Sequence, residues 1–163
     1  MAEWRVTNLR DARWMNHDTF GAAGIFEREY GEFEQLGINV RVLEPGQPNC
    51  LYHRENLQED FLVLSGECTL LVDGEERPLK AWDFVHMPPN VDHVFVGAGD
   101  GPCAILMVGA RSPDEELFYP AAEVARRHGA AAEKDTPSPE EAYAPFGERR
   151  AGRPAAWDKL PWA

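Results

Sequence analysis

GQPNCLYHRENLQEDFLVLSG, residues 46–66, sets His53, Glu55 and Glu59 in one short segment ahead of an apolar run. If residues 51–55 are extended, successive side chains alternate between faces, so His53 and Glu55 project to one side and Arg54 to the other. After a break at Asn56 and Leu57, a second strand is predicted from about Gln58 through FLVLS to Gly66, with Glu59 at its mouth. Two neighbouring strands then aim three donor groups inward. A metal site is the sharpest reading of that set.

The pattern around this stretch is that of short strands cut by turns. Upstream, INVRVLEPG sets Ile38, Val40 and Val42 against Asn39, Arg41 and Leu43 and stops at Pro45 and Gly46. Downstream, Ser65-Gly66 ends one strand and Asp73-Gly74 separates CTLLV from ERPLKAWDFVHM. Pro88-Pro89-Asn90 breaks the chain again before VDHVFV, which carries His93, and PCAILMVGA reads as a last buried strand after the loop GAGDG. Strands at this spacing predict an all-β barrel or sandwich over residues 38–111.

Residues 1–37 are expected to form an N-terminal arm in which WRVTNL and GIFEREY each make a short strand. Residues 112–163 form a C-terminal extension of different character. AAEVARRHG predicts one short helix, with Pro120 at its first position and Gly129 as its stop. Ser138 is placed to cap a second, with Glu141 completing a capping box. Trp157, Pro161 and Trp162 are costly to leave in water, so the tail is expected to dock on a surface.

With 163 residues the chain suits one domain with a real core. Its 14 glycines and 13 prolines favour a turn-rich fold. Sixteen basic against 28 acidic residues give a formal charge of -12, which repels phosphate backbones and anionic lipid. That balance argues against a nucleic-acid or membrane partner, and no apolar stretch approaches the roughly 20 residues needed to span a bilayer. A cytoplasmic location is expected. Cys50, Cys68 and Cys103 lack the paired spacing of a zinc ribbon or redox motif and read as buried free thiols. Cys50 lies an odd number of positions from His53, hence on the opposite face of an extended segment.

The motifs resemble those of the cupins. Their first motif runs Gly, His-x-His, three or four residues, Glu, six residues, Gly, and here it reads His53-Arg54-Glu55, three residues, Glu59, six residues, Gly66. Their second motif runs Gly, five residues, Pro-x-Gly, two residues, His, three residues, Asn, and is matched by Pro88 and His93. The resemblance covers about residues 38–110 and has departures. Glu55 replaces the second His, Trp82 and Asn90 stand where glycines are usual, Gly97 replaces the Asn, and the gap from Gly46 to His53 is one residue longer.

The resemblance implies a double-stranded β-helix, or jelly-roll barrel, with one divalent metal ion held by His53, Glu59 and His93 and with Glu55 in the place of the second His. Such a set suits iron(II), manganese(II), nickel(II) or zinc(II) and leaves open positions for a small-molecule substrate. An oxygenase, isomerase or lyase is therefore expected, with its catalytic residues and substrate left open. Cupins commonly pair through sheet edges, so Trp4, Trp14, Trp157 and Trp162 are candidates to cover an edge or a partner in a homodimer.

Taken singly, a histidine in a strand is usually packed or exposed, and Glu55 and Glu59 read as solvated charges. Taken together, four ionisable groups facing an apolar barrel are expensive to bury without a metal or mutual pairing. A metal-free pocket in which His93 and a carboxylate act as an acid/base pair, as in cupin-like epimerases, is the competing enzyme reading. A non-enzymatic sensor is the third, though residues 1–37 lack the pattern of a helix-turn-helix. Phe61 and Val63 share the parity of Glu59, and Val91 and Phe95 that of His93, so these four are expected to wall the pocket. His86 reads as packed among aromatic neighbours.

Overall fold

Left-handed turns cut the barrel chain where the turn residues predicted. Asp73 and Gly74 both take positive φ, 47° and 81°, which is the twist a two-residue hairpin needs. The computed structural model describes residues 4–163. Its strands are β1 (Arg13–His17), β2 (Gly21–Ile25), β3 (Leu36–Leu43), β4 (Arg54–Glu55), β5 (Glu59–Ser65) and β6 (Glu67–Val72). There follow β7 (Glu75–Lys80), β8 (Phe84–Met87), β9 (His93–Ala98), β10 (Cys103–Ala110), β11 (Leu117–Phe118) and β12 (Arg150–Ala151).

These pair into a seven-stranded sheet ordered β12-β1-β2-β3-β10-β5-β8, a three-stranded sheet β7-β6-β9, and a two-stranded ribbon β11-β4. All pairings are antiparallel. Alternation along β10 decides what each face sees. Cys103, Ile105 and Met107 pack inward with Leu43, Phe61, Val63 and Phe95, while Ala104 joins Val40 and Val42 on the outer face. Inside β3 the polar members Asn39 and Arg41 therefore share the inner face with Leu43.

The outer face is covered by the C-terminal tail. Trp14 stacks on Trp162 at 6.0 Å between ring centroids and meets Trp157 edge-on at 5.4 Å, and Leu160 is buried beside them. The tail thus docks on its own chain, and the strands expected in WRVTNL and GIFEREY form instead at β1 and β2. The reason is small residues. Gly24 sits opposite Trp14 in the register, and a Cβ there would come within 2.8 Å of the indole, so a strand of Gly and Ala carries no apolar signal yet makes room for the ring.

The segment ERPLKAWDFVHM is two strands in different sheets, parted at a turn in which the Asp83 N–H donates to the Lys80 carbonyl at 3.0 Å. Trp82 occupies the third position of that turn with φ 76°, a place for glycine, and 74% of its surface is exposed. Trp82→Gly is expected to stabilise the fold by about 1 kcal/mol, because it removes left-handed strain and little buried area. The urea midpoint measures this; a fall in midpoint would contradict the turn assignment.

The helices are short. α1 (Glu123–Arg126) starts later than Pro120, after Ala122, and Gly129 ends the segment with φ 66°. α2 (Pro139–Tyr143) is capped by Ser138, whose Oγ accepts the Glu141 N–H at 3.2 Å. The box is half-formed, since the Glu141 carboxylate accepts from Thr136 Oγ1 at 2.6 Å instead of reaching back to Ser138.

Arg111, just past β10, holds the N-terminal segment to the barrel by two bonds to Glu27, at 2.7 and 2.8 Å. Glu27 is 5% exposed and also accepts the Phe33 N–H at 2.9 Å. The Arg111 hydrogen bonds hold its carboxyl below the usual range against the opposing cost of burial. A depressed folded pKa adds stability that is present above the unfolded pKa, near 4.5, and is lost as pH falls through the folded value. Glu27→Gln is expected to cost about 2 kcal/mol at neutral pH and to flatten the acid side of the stability profile below about pH 5. Denaturant midpoints against pH measure both effects.

Candidate metal centre

His53 and His93 are set against each other by their own backbones. The His53 N–H donates to the His93 carbonyl at 3.2 Å and the His93 N–H to the His53 carbonyl at 2.8 Å, an isolated antiparallel bridge. A pair exchanging both bonds puts its side chains on one face, and the ring centroids lie 5.0 Å apart. Each Nδ1 lies 2.9 Å from the carbonyl two residues earlier, Leu51 for His53 and Val91 for His93. A carbonyl only accepts, so each Nδ1 carries the proton and leaves Nε2 free to accept or ligate.

Glu59 opens β5, opposite Gly109 on β10 and Met87 on β8. Gly109 leaves room above the carboxylate, since a Cβ there would stand 3.7 Å from the Glu59 Cγ. One donor atom from each of His53, Glu59 and His93 falls within 4.8 Å of the others. Glu59 Oε2 approaches His93 Nε2 to 2.9 Å, yet it is a buried oxygen without a hydrogen-bond partner. With the proton on Nδ1, two lone pairs face each other there. A cation between them relieves both, so these residues fit a divalent metal. Burial, then the neighbouring His93, lowers the His53 pKa to about 4, which keeps its ring neutral, the form that ligates.

Glu55, on the ribbon against Leu117, lines the same cavity but its carboxylate lies outside this three-residue cluster. Burial raises its pKa to about 8, aided by the charges of Glu59 and Glu115.

The cavity measures about 340 Å³. Phe61, Val63, Val91 and Phe95 do not line it. Their inward parity is as expected, but at their level the barrel is filled by Leu43, Met87 and Ile105, so facing inward means being packed. Phe61 still backs the centre, 5.6 Å from the His93 ring.

The walls come instead from Asn39 and Arg41 of β3 and from Tyr119, Tyr143 and Arg149 of the C-terminal extension. Burial, then the like charge of Arg149, lowers Arg41 to about 10, which leaves it cationic at neutral pH. Cys50 also lines the cavity, with Sγ 3.6 Å from His53 Nδ1, because residues 50–52 are not a regular strand and alternation does not apply to them. Burial pushes its thiol up to about 12, so it is no thiolate donor. His86 is exposed and bonds Asp60 at 2.7 Å, contrary to the aromatic packing expected of it.

An antiparallel barrel that aims two imidazoles and a carboxylate at one interior point defines a class of small β-barrel proteins. Residues 39–109 match the family model described as the cupin domain, and this part of the chain is a cupin type-2 conserved barrel. Among solved structures it is similar to a sugar phosphate isomerase of the cupin superfamily from Silicibacter pomeroyi. That likeness has 25% identity and a TM-score of 0.63 over 73% of this chain and 83% of the other. The polyketide cyclase RemF from Streptomyces resistomycificus shares the fold, at 14% identity and a TM-score of 0.59 over 69% and 84% of the two chains. A candidate sugar phosphate isomerase from Acidithiobacillus ferrooxidans is 28% identical, with a TM-score of 0.49 over 51% of this chain. The match spans 55% of that protein's length. Comparison with curated proteins finds no match. Among the described residues, no helix is long and apolar enough to cross a membrane.

Proposed function

We propose that this cupin holds one divalent metal ion at His53, Glu59 and His93 and acts as an isomerase on a small oxygenated molecule taken into the cavity. The observation that carries the metal is the buried, partnerless Glu59 Oε2 set 2.9 Å from the unprotonated face of His93. Support for isomerisation comes from the likeness to the Silicibacter pomeroyi protein. Bound there, the ion would supply Lewis acidity, polarising a substrate carbonyl or hydroxyl oxygen.

The chain's own residues would do the rest. The Leu51 and Val91 carbonyls fix both imidazoles in the ligating tautomer. Glu59 supplies the negative charge, and Glu55 stays beside the triad, facing the substrate with a carboxyl group able to carry the proton that an isomerisation moves between carbons. Tyr119 stacks on His53 with ring centroids 5.8 Å apart and shields one side from water.

The test is turnover of a panel of aldose and ketose phosphates before and after treatment with a chelator. Conversion that disappears on chelation and returns with added metal supports the proposal. Absence of conversion across the panel, or turnover indifferent to the chelator, overturns it. The short His93–Glu59 contact also favours a second reading, a metal-free acid/base pair; elemental analysis of gently purified protein separates the two, with sub-stoichiometric metal favouring the pair.

A further inference from the structure

Arg41 is an odd residue to find inside a barrel. It lies at the centre of β3, between Ala23 and Ile105 in the register, and its side chain enters the cavity. Its Nε is buried without a hydrogen-bond partner, and the same is true of Asn39 Oδ1 two residues earlier. No carboxylate pairs with Arg41 or with Arg149 among the described residues. The third arginine of the cavity, Arg111, is occupied by Glu27. The acids of the cavity are Glu55, Glu59 and Glu115, and none of them forms an ion pair with Arg41 or Arg149. Arg149 is exposed where it lines the cavity, so the unexpected cation in this chain of net charge -12 is Arg41, with Arg149 as its exposed neighbour. An unpaired cation on a strand interior costs stability, and a ligand that completes it recovers that cost on binding.

Hydrogen-bond donors stand beside the two cations. Tyr143 Oη accepts the Leu51 N–H at 3.0 Å, so its own proton is spare. Burial raises both Tyr119 and Tyr143, which keeps them as neutral donors. Guanidinium groups and phenols offer hydrogen bonds to planar or tetrahedral oxyanions, and a guanidinium does so in a bidentate fork.

We infer that Arg41 and Arg149 form an anion subsite in this cavity, with Tyr143 as a further donor, and that the substrate carries a carboxylate or phosphate group seated there. The inference rests on the reading of this cavity as the substrate site, but not on the metal. The anion subsite and the cluster of His53, Glu59 and His93 line one cavity, so a molecule held by its charged end would present its remaining oxygens to that cluster.

The experiment titrates the full chain, stripped with a chelator, with inorganic phosphate and separately with succinate, by calorimetry. Saturable binding of at least one is expected, weakened at least tenfold in Arg41→Met and in Arg149→Met, about the loss for a hydrogen bond to a charged group. A preference for phosphate identifies a phosphate ester as the substrate class, and a preference for succinate a carboxylic acid. Arg41→Met should also unfold no earlier than the parent, because it removes an uncompensated buried charge; a structural arginine would give the opposite shift. Failure of both ions to bind, or undiminished binding in Arg41→Met, overturns the inference. Metal content of the unstripped proteins is measured in parallel. Anion binding in a protein that takes up no metal would retire the metal reading and leave the subsite standing.

Discussion

Glu59→Gln is expected to lower divalent-metal affinity by at least about 100-fold while the barrel stays folded. Outer partners of metal ligands already cost about 10- to 100-fold when removed, and Glu59 is placed as a direct donor. The substitution keeps shape and volume but removes the only anionic donor of the three-residue cluster. The fold should tolerate it, because Glu59 Oε2 has no hydrogen-bond donor to lose and Gly109 opposite leaves space around the side chain. Calorimetric metal titration and circular dichroism of parent and variant measure the two halves. Parent-like affinity would remove Glu59 from the ligand set. Collapse of the metal-free variant where the metal-free parent stays folded would mean the carboxylate serves structure.

Trp14→Ala is expected to cost about 4 kcal/mol, in the range for deleting a buried large aromatic side chain. Trp14 is 4% exposed and is held by three partners at once: Trp157 edge-on, Trp162 stacked, and the Leu9 carbonyl, which accepts from its Nε1 at 3.1 Å. Gly24 beneath it has no side chain with which to fill the hole. Loss of the ring should also free the tail, so limited proteolysis is expected to remove the C-terminal residues of the variant before it cuts the barrel. Denaturant unfolding gives the first number and mass spectrometry of the digest the second. A loss below about 1 kcal/mol would mean that the tail, not the indole, carries the packing.

How much of this was legible before the structure depends on which physical signal each residue left in the sequence. Strand alternation and turn residues marked β3, β5, β6, β9 and β10, because a half-buried sheet imposes a period of two. They missed β1 and β2, where the packing is done by the absence of side chains at Gly24 and its alanine neighbours. The split of residues 75–87 into β7 and β8 was hidden because Trp82 stands where a left-handed turn ordinarily needs glycine.

At the site, His53, Glu59 and His93 were readable from the resemblance to the cupin motifs, and the structure brings one donor atom of each within 4.8 Å of the others. Glu55 was placed with them by parity and by standing where the cupin motif has its second His, and its two-residue strand ends too soon for parity to fix where its carboxylate sits. The pocket walls were misread for a different reason: parity reports which way a side chain faces, not whether space remains at that level. Asn39 and Arg41 were visible as the polar members of β3, but alternation alone did not say which face of the strand looks into the barrel. Tyr119, Tyr143 and Arg149 left no signal, because a loop-rich extension brings them to the barrel by tertiary contacts that have no period.

The most direct measurement of the central claim is anomalous diffraction from crystals of the protein purified without chelator, collected on both sides of the absorption edges of manganese, iron, nickel and zinc. The account predicts one anomalous peak per chain, bonded to His53 Nε2, His93 Nε2 and a Glu59 carboxylate oxygen. A cavity with no peak and with Glu59 hydrogen-bonded to a protonated His93, or a peak held by other side chains, would contradict it.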